Sequence, residues 1–226
     1  MYPINRKDEP ACLICAKSVD YGLQLADFLG NNDILCCNCR RMLVKCKRIV
    51  LLADLKVRAL YQYNEFYHQL IIQYKEFGDE ALSDIIVYPF VKKLQQRYRG
   101  YTLIGVPSSA TKLKSRGFSH VEKMFRLLAL DYREVFYKDD FIQKQQSYRT
   151  RKEISKHISL DKELNLNGPI LLVDDLVTTG ATLLACYELL RELGYEVEAL
   201  VGAVSMKLLK DQRKRVFGFE RRVNAG

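Results

Sequence analysis

The chain has no apolar run near the roughly 18 residues that a membrane-spanning helix requires. Its first ten residues, MYPINRKDEP, lack the apolar centre of a signal peptide. A soluble, cytoplasmic chain is therefore expected. Internal repeats and low-complexity tracts are absent. No G-x4-G-K-[ST] occurs, which argues against a P-loop nucleotidase, and no G-x-G-x-x-G follows a strand, which removes the dinucleotide-binding fingerprint. A disulfide framework is not expected from the seven cysteines, because the cytoplasm keeps thiols reduced.

What is present is an ordinary globular composition. With 226 residues, 48% of them hydrophobic and 28% charged, the chain can bury a sizeable core and carry a small appendage. An excess of 36 basic over 27 acidic side chains leaves +9. That balance favours anions, whether nucleic acid, phosphorylated metabolites or an acidic partner, without choosing among them. The excess is clustered. Residues 207–222 hold seven basic and two acidic side chains, and Lys112, Lys114 and Arg116 form a second group.

Six of the seven cysteines fall between Cys12 and Cys46. Cys12 and Cys15 form one C-x2-C pair; Cys36 and Cys39 form another. Two such knuckles let four thiolates converge on one tetrahedral Zn2+, and the short segment between them has no core of its own without a metal. Cys37 and Cys46 are spare. The alternatives are reduced cysteines in a loop or a redox pair, the latter lacking a thioredoxin-like strand-to-helix context. The expected division is a zinc-binding unit over residues 1–45 and a main domain over 46–226.

In the main domain short apolar runs alternate with helical segments. Strands are expected at 57–63, 101–107, 134–137, 168–175 and 195–206, and helices at 64–77, 80–98, 118–130 and 180–194. Asn64 and Ser119 are candidate N-caps and Gly78 a stop. Strands alternating with helices predict an α/β fold with a mostly parallel sheet.

The run from Ile170 to Thr182, ILLVDDLVTTGAT, carries the chemistry. Four apolar residues lead into Asp174 and Asp175 at the carboxyl end of a central strand, the edge where open α/β sheets bind ligands. Thr178, Thr179, Gly180, Ala181 and Thr182 then lead into a helix. They offer backbone N–H groups, hydroxyls and a positive helix end to one anion. Adjacent acids cannot serve that anion; they need hydroxyl donors or a divalent cation. A ribose diol beside a 5-phosphate offers the first. A Walker-B strand lacks its P-loop here, and a receiver domain carries its acid pair near its first strand rather than late.

This run closely resembles the 5-phosphoribosyl-1-pyrophosphate (PRPP) signature of type I phosphoribosyltransferases. The resemblance implies that Asp174 and Asp175 take the ribose hydroxyls and that residues 178–182 take the 5-phosphate. Val106-Pro107-Ser108-Ser109 followed by Arg116-Gly117-Phe118-Ser119-His120 is similar to the V-P … R-G-F-N-Q pattern of the ComF family, and Tyr74–Asp79 to its K-[YF]-x-G-D element. The four-cysteine unit is typical of the zinc-bearing ComFC type. The implied fold is type I phosphoribosyltransferase-like. Pro107, Ser108 and Ser109 would face the pyrophosphate, Lys75 and Arg116 would neutralise it, and Mg2+ would accompany PRPP.

The resemblance also implies natural competence and DNA uptake, with the competence helicase-translocase as partner. The basic tail is compatible with single-stranded DNA. The acceptor of a phosphoribosyl group cannot be read from the residues. The alternative is a non-enzymatic adaptor that docks helicase and single-stranded DNA. Two departures from the family pattern stand out. Ser119-His120 replaces Asn-Gln, which opens two roles for His120, a general base or a surface and capping residue. Gln146 and the run Arg149-Thr150-Arg151 only loosely echo a Q…R…N segment, and residues 138–158 read equally as a flap or as a surface loop.

Overall fold

A computed structural model of the chain describes residues 11–17, 35–76, 81–107, 119–138, 158–161 and 164–212. After a short helix α1 (Cys37–Met42), the hairpin β1 (Ile49–Leu52) and β2 (Leu55–Gln62) turns at Ala53, whose φ is +50°. Helices α2 (Glu65–Glu76), α3 (Ala81–Val87) and α4 (Val91–Arg97) precede β3 (Thr102–Gly105). Then follow α5 (His120–Phe125), β4 (Asp131–Arg133), β5 (Phe136–Lys138), β6 (Ile158–Leu160), β7 (Ile170–Val177), α6 (Ala181–Glu192) and β8 (Val197–Val204).

The main sheet runs β1-β2-β8-β7-β3-β4, parallel throughout except for the β1–β2 hairpin; β5 and β6 pair antiparallel beside it. Helices cover both faces. Leu171 and Val173 of β7 and Leu200 of β8 pack under α2, α3 and α5. Ile170 and Leu172 of β7, with Ala199 and Val201 of β8, pack under α6. A strand buried on both sides reads as a continuous apolar run, as ILLV does. The α/β architecture with a mostly parallel sheet is thus as expected.

Several expected elements differ in detail. The helix at 80–98 is broken into α3, a 3-10 turn at Tyr88–Phe90 and α4, because Pro89 removes a backbone donor. The helix at 118–130 ends at Phe125 in a 3-10 turn, and Ala129 closes it with a φ of +53°. β7 runs past the acid pair to Val177, so both aspartates lie within the strand. The hairpin strand β1 and the polar edge strand β4 fall in segments to which the sequence pattern assigns no element. Asn64 does cap α2, accepting from the Tyr67 N–H at 2.8 Å, and Ser119 caps α5. Gly78 lies outside the described residues. Among the described residues no helix is long and apolar enough to cross a membrane.

Candidate functional site

Asp174 and Asp175 sit on β7 between β8 and β3, toward the strand's carboxyl end. Asp175 is buried and gripped from several sides. Lys75, near the end of α2, places Nζ 2.5 Å from Oδ2. His120, the first residue of α5, places Nε2 3.4 Å from Oδ1. The Asp175 carbonyl accepts from the Tyr67 hydroxyl at 3.1 Å, and its N–H donates to Asp174 Oδ1 at 2.8 Å. Burial pushes the Asp175 carboxyl up, but His120 and Lys75 outweigh it and hold the group below the usual carboxylate range. Asp174 goes the other way. Burial and the adjacent Asp175 charge push its carboxyl well above the usual range. Two neighbouring acids are thereby split, one kept as a carboxylate and one inclined to hold a proton.

Gly202 on β8 makes room for this arrangement. A Cβ there would lie 2.6 Å from the Asp175 carbonyl oxygen and inside contact distance of the Tyr67 hydroxyl. The sheet's carboxyl edge continues into Thr178 and Thr179, both exposed, and then Gly180, which precedes α6 with a φ of +79°. A Cβ at Gly180 would meet the end of the Leu52 side chain of β1, which can shift, so it is the left-handed backbone conformation that favours glycine here. Gly180 brings no capping side chain to α6, leaving the first turn open to an anion apart from a 3.4 Å contact of the Ala181 N–H with Thr179 Oγ1. Ser205, just after β8, braces the loop by donating to the Thr178 carbonyl at 2.9 Å.

At the ends of β3 and β4 a cleft of about 60 Å³ is lined by Gly105, Pro107, Ser119, Tyr132, Glu134 and Phe136 among others. The Ser119 and Tyr132 hydroxyls lie 3.3 Å apart, and burial pushes the Tyr132 phenol up to about 12. Pro107 thus stands on the same sheet edge as the acid pair. Of the sequence-derived candidates, Ser108, Ser109 and Arg116 lie outside the described residues, as do Lys112, Lys114, Gln146, Arg149, Arg151 and the tail from residue 213. Lys75 is brought to Asp175 across 100 positions of sequence.

His120 is the residue that sequence reasoning left open. It is neither exposed nor the cap, since Ser119 caps the helix while the His120 ring is buried against Asp175. A signal was present. His120, Val121, Met124 and Phe125 share the buried helical stripe of α5, so the ring belongs to the inward face.

The second centre is the cysteine unit. The sulfurs of Cys12, Cys15, Cys36 and Cys39 all lie within 4.8 Å of one another. Zn–S bonds of about 2.3 Å in a tetrahedron require sulfur–sulfur edges of about 3.8 Å, and Cys15 and Cys36 stand 3.7 Å apart. The donor set fits a structural zinc ion. Burial opposes ionisation of Cys12, but the Cys36, Cys15 and Ile14 N–H groups outweigh it and bring the thiol down to about 6. Burial pushes the Cys39 thiol up, with the Cys15 and Cys36 sulfurs adding to it. Cys37 and Cys46 stand apart from the cluster. Cys12, Leu35, Cys39 and Leu43 pack into the same apolar cluster as Leu60 and Tyr61 of β2, and Asn64 donates to the Met42 carbonyl at 2.9 Å.

No protein-family model matches the chain, and no curated protein matches it either. Among solved structures, adenine phosphoribosyltransferase from Saccharomyces cerevisiae, complexed with an iminoaltritol bisphosphate and adenine, is 17% identical. That match covers 61% of this chain and 76% of that one at a TM-score of 0.40. Orotate phosphoribosyltransferase from Aeropyrum pernix is 18% identical over 76% of this chain and 93% of its own, with a TM-score of 0.34. Hypoxanthine phosphoribosyltransferase from Staphylococcus aureus is 14% identical over 54% and 62%, with a TM-score of 0.33.

Proposed function

We propose that the chain is a ComF-type, type I phosphoribosyltransferase-like protein that binds PRPP with Mg2+ at the carboxyl edge of its sheet. One observation carries the reading: an acid pair on the central strand β7 is followed directly by a glycine-opened loop at the start of α6. The acids suit a diol and the loop suits a phosphate, and a phosphorylated ribose presents both a few ångströms apart. Asp174 and Asp175 would accept from the ribose hydroxyls, and residues 178–182 would donate to the 5-phosphate. Pro107, Ser108 and Ser109 would border the pyrophosphate, with Lys75 and Arg116 balancing its charge. Mg2+, held largely by ligand oxygens and water, would supply further charge neutralisation at the pyrophosphate. The chain's own part in a transfer would be to position the ribose and stabilise the departing charge.

The family pattern supports a cytoplasmic role in natural competence, with the competence helicase-translocase and single-stranded DNA as partners. The cysteine unit over residues 1–45 would hold structural Zn2+ beside the transferase-like domain over 46–226. Titration calorimetry of PRPP, with and without Mg2+, tests the ligand reading on wild type and Asp174→Ala/Asp175→Ala. Binding confined to the wild type is expected. Absence of binding to a folded, zinc-loaded wild type would leave the adaptor reading, in which the loop is a relic.

A further inference from the structure

The geometry points to His120 as a positioning residue that fixes Asp175 to read the ribose hydroxyls, an assignment that rests on the ligand reading above. Both oxygens of Asp175 already have donors: Lys75 at Oδ2 and His120 at Oδ1. The two donors are not equivalent. Lys75 is a flexible chain near the end of α2, and its side chain keeps 17% of its exposure. It can leave Oδ2 for an incoming anionic group. His120 is short and 5% exposed, and its carbonyl accepts from the buried Tyr74 hydroxyl at 2.6 Å. It has no such freedom.

A carboxylate only accepts, so the ring meets it as a donor through Nε2. A diol that displaces Lys75 would then find Asp175 still held through Oδ1, with Oδ2 free and correctly turned. Without the imidazole donor the carboxylate rotates, and hydroxyl recognition loosens while the phosphate loop at 178–182 is untouched. His120 would therefore act through Asp175 and not on the ligand itself.

The probes are ribose 5-phosphate and 2-deoxyribose 5-phosphate, which share the phosphate and differ by one hydroxyl. Their dissociation constants are measured by calorimetry on the full, zinc-loaded chain. Wild type should prefer the ribose form by about tenfold or more, the worth of a hydrogen bond to a charged group. His120→Gln, whose amide retains a donor of similar reach, should keep the preference. His120→Leu should lose it while binding the deoxy sugar as wild type does. His120→Asn, polar but too short to reach Oδ1, gives the same test if the leucine variant does not fold. An unchanged preference in the Leu or Asn variant overturns the positioning role and leaves the ligand reading standing. Failure of wild type to bind either sugar phosphate, or PRPP, overturns both.

Discussion

Gly202→Ala probes the support of the acid pair more sharply than any change to the acids themselves. An alanine Cβ would sit 2.6 Å from the Asp175 carbonyl oxygen, inside contact distance of the Tyr67 hydroxyl and 3.4 Å from the Met124 sulfur. The methionine can move. Tyr67 and β7 cannot do so freely, because Tyr67 is fully buried and β7 is hydrogen-bonded on both sides. Forcing the strands apart is an overpacking defect of about 2 kcal/mol, and losing the Tyr67–Asp175 hydrogen bond adds about 1 kcal/mol. A total of about 3 kcal/mol corresponds to a fall in Tm of roughly 6–12 °C for a domain of this size. Urea denaturation of Gly202→Ala, Tyr67→Phe and the double variant measures each part. With the hydroxyl gone, the added methyl loses its nearest clash and no Tyr67–Asp175 hydrogen bond remains to break, so the two changes should be non-additive by about 1 kcal/mol. A Gly202→Ala protein within about 0.5 kcal/mol of wild type, or strict additivity, would refute the packing argument.

The split acids predict opposite effects of two conservative changes. The depressed Asp175 carboxyl contributes stability that is present above the ordinary carboxylate range and lost as pH falls below it, whereas the raised Asp174 carboxyl costs stability as pH rises through that range. Asp174→Asn should therefore equal or exceed wild type at about pH 8 and lose that advantage near pH 4, while Asp175→Asn should be weaker at about pH 8; a shift of both in the same direction would count against the assignment. For the cysteine unit, chelation should release one zinc per chain and abolish amide-exchange protection across α1 while the sheet stays protected. Unfolding of the whole chain would show that residues 1–45 are not a separable unit.

The parts of this site that sequence discloses are those written in consecutive residues. ILLV followed by two acids and TTGAT displays the buried strand, the ligand edge and the helix entry together, because each depends on neighbours within a few positions. The paired cysteines are legible for the same reason, each knuckle being local even though Cys15 and Cys36 stand 21 positions apart. Elements that rest on weaker local signals were hidden. Strand β4, DYR, has a polar edge without an apolar run, and Pro89 interrupts a pattern whose periodicity continues across it.

His120 marks the boundary between the two kinds of information. Its place four residues before Met124 assigns it to the buried face of α5, and nothing more than helical spacing is needed for that. Its meaning comes from β7, 55 positions away, and from α2, which brings Lys75 to the other oxygen of the same carboxylate. Periodicity names the face of an element and is silent about what packs against it. A histidine on an apolar face is accordingly readable as buried from sequence, but only the parallel sheet, by setting α2 and α5 over the same end of β7, turns it into the partner of a particular acid.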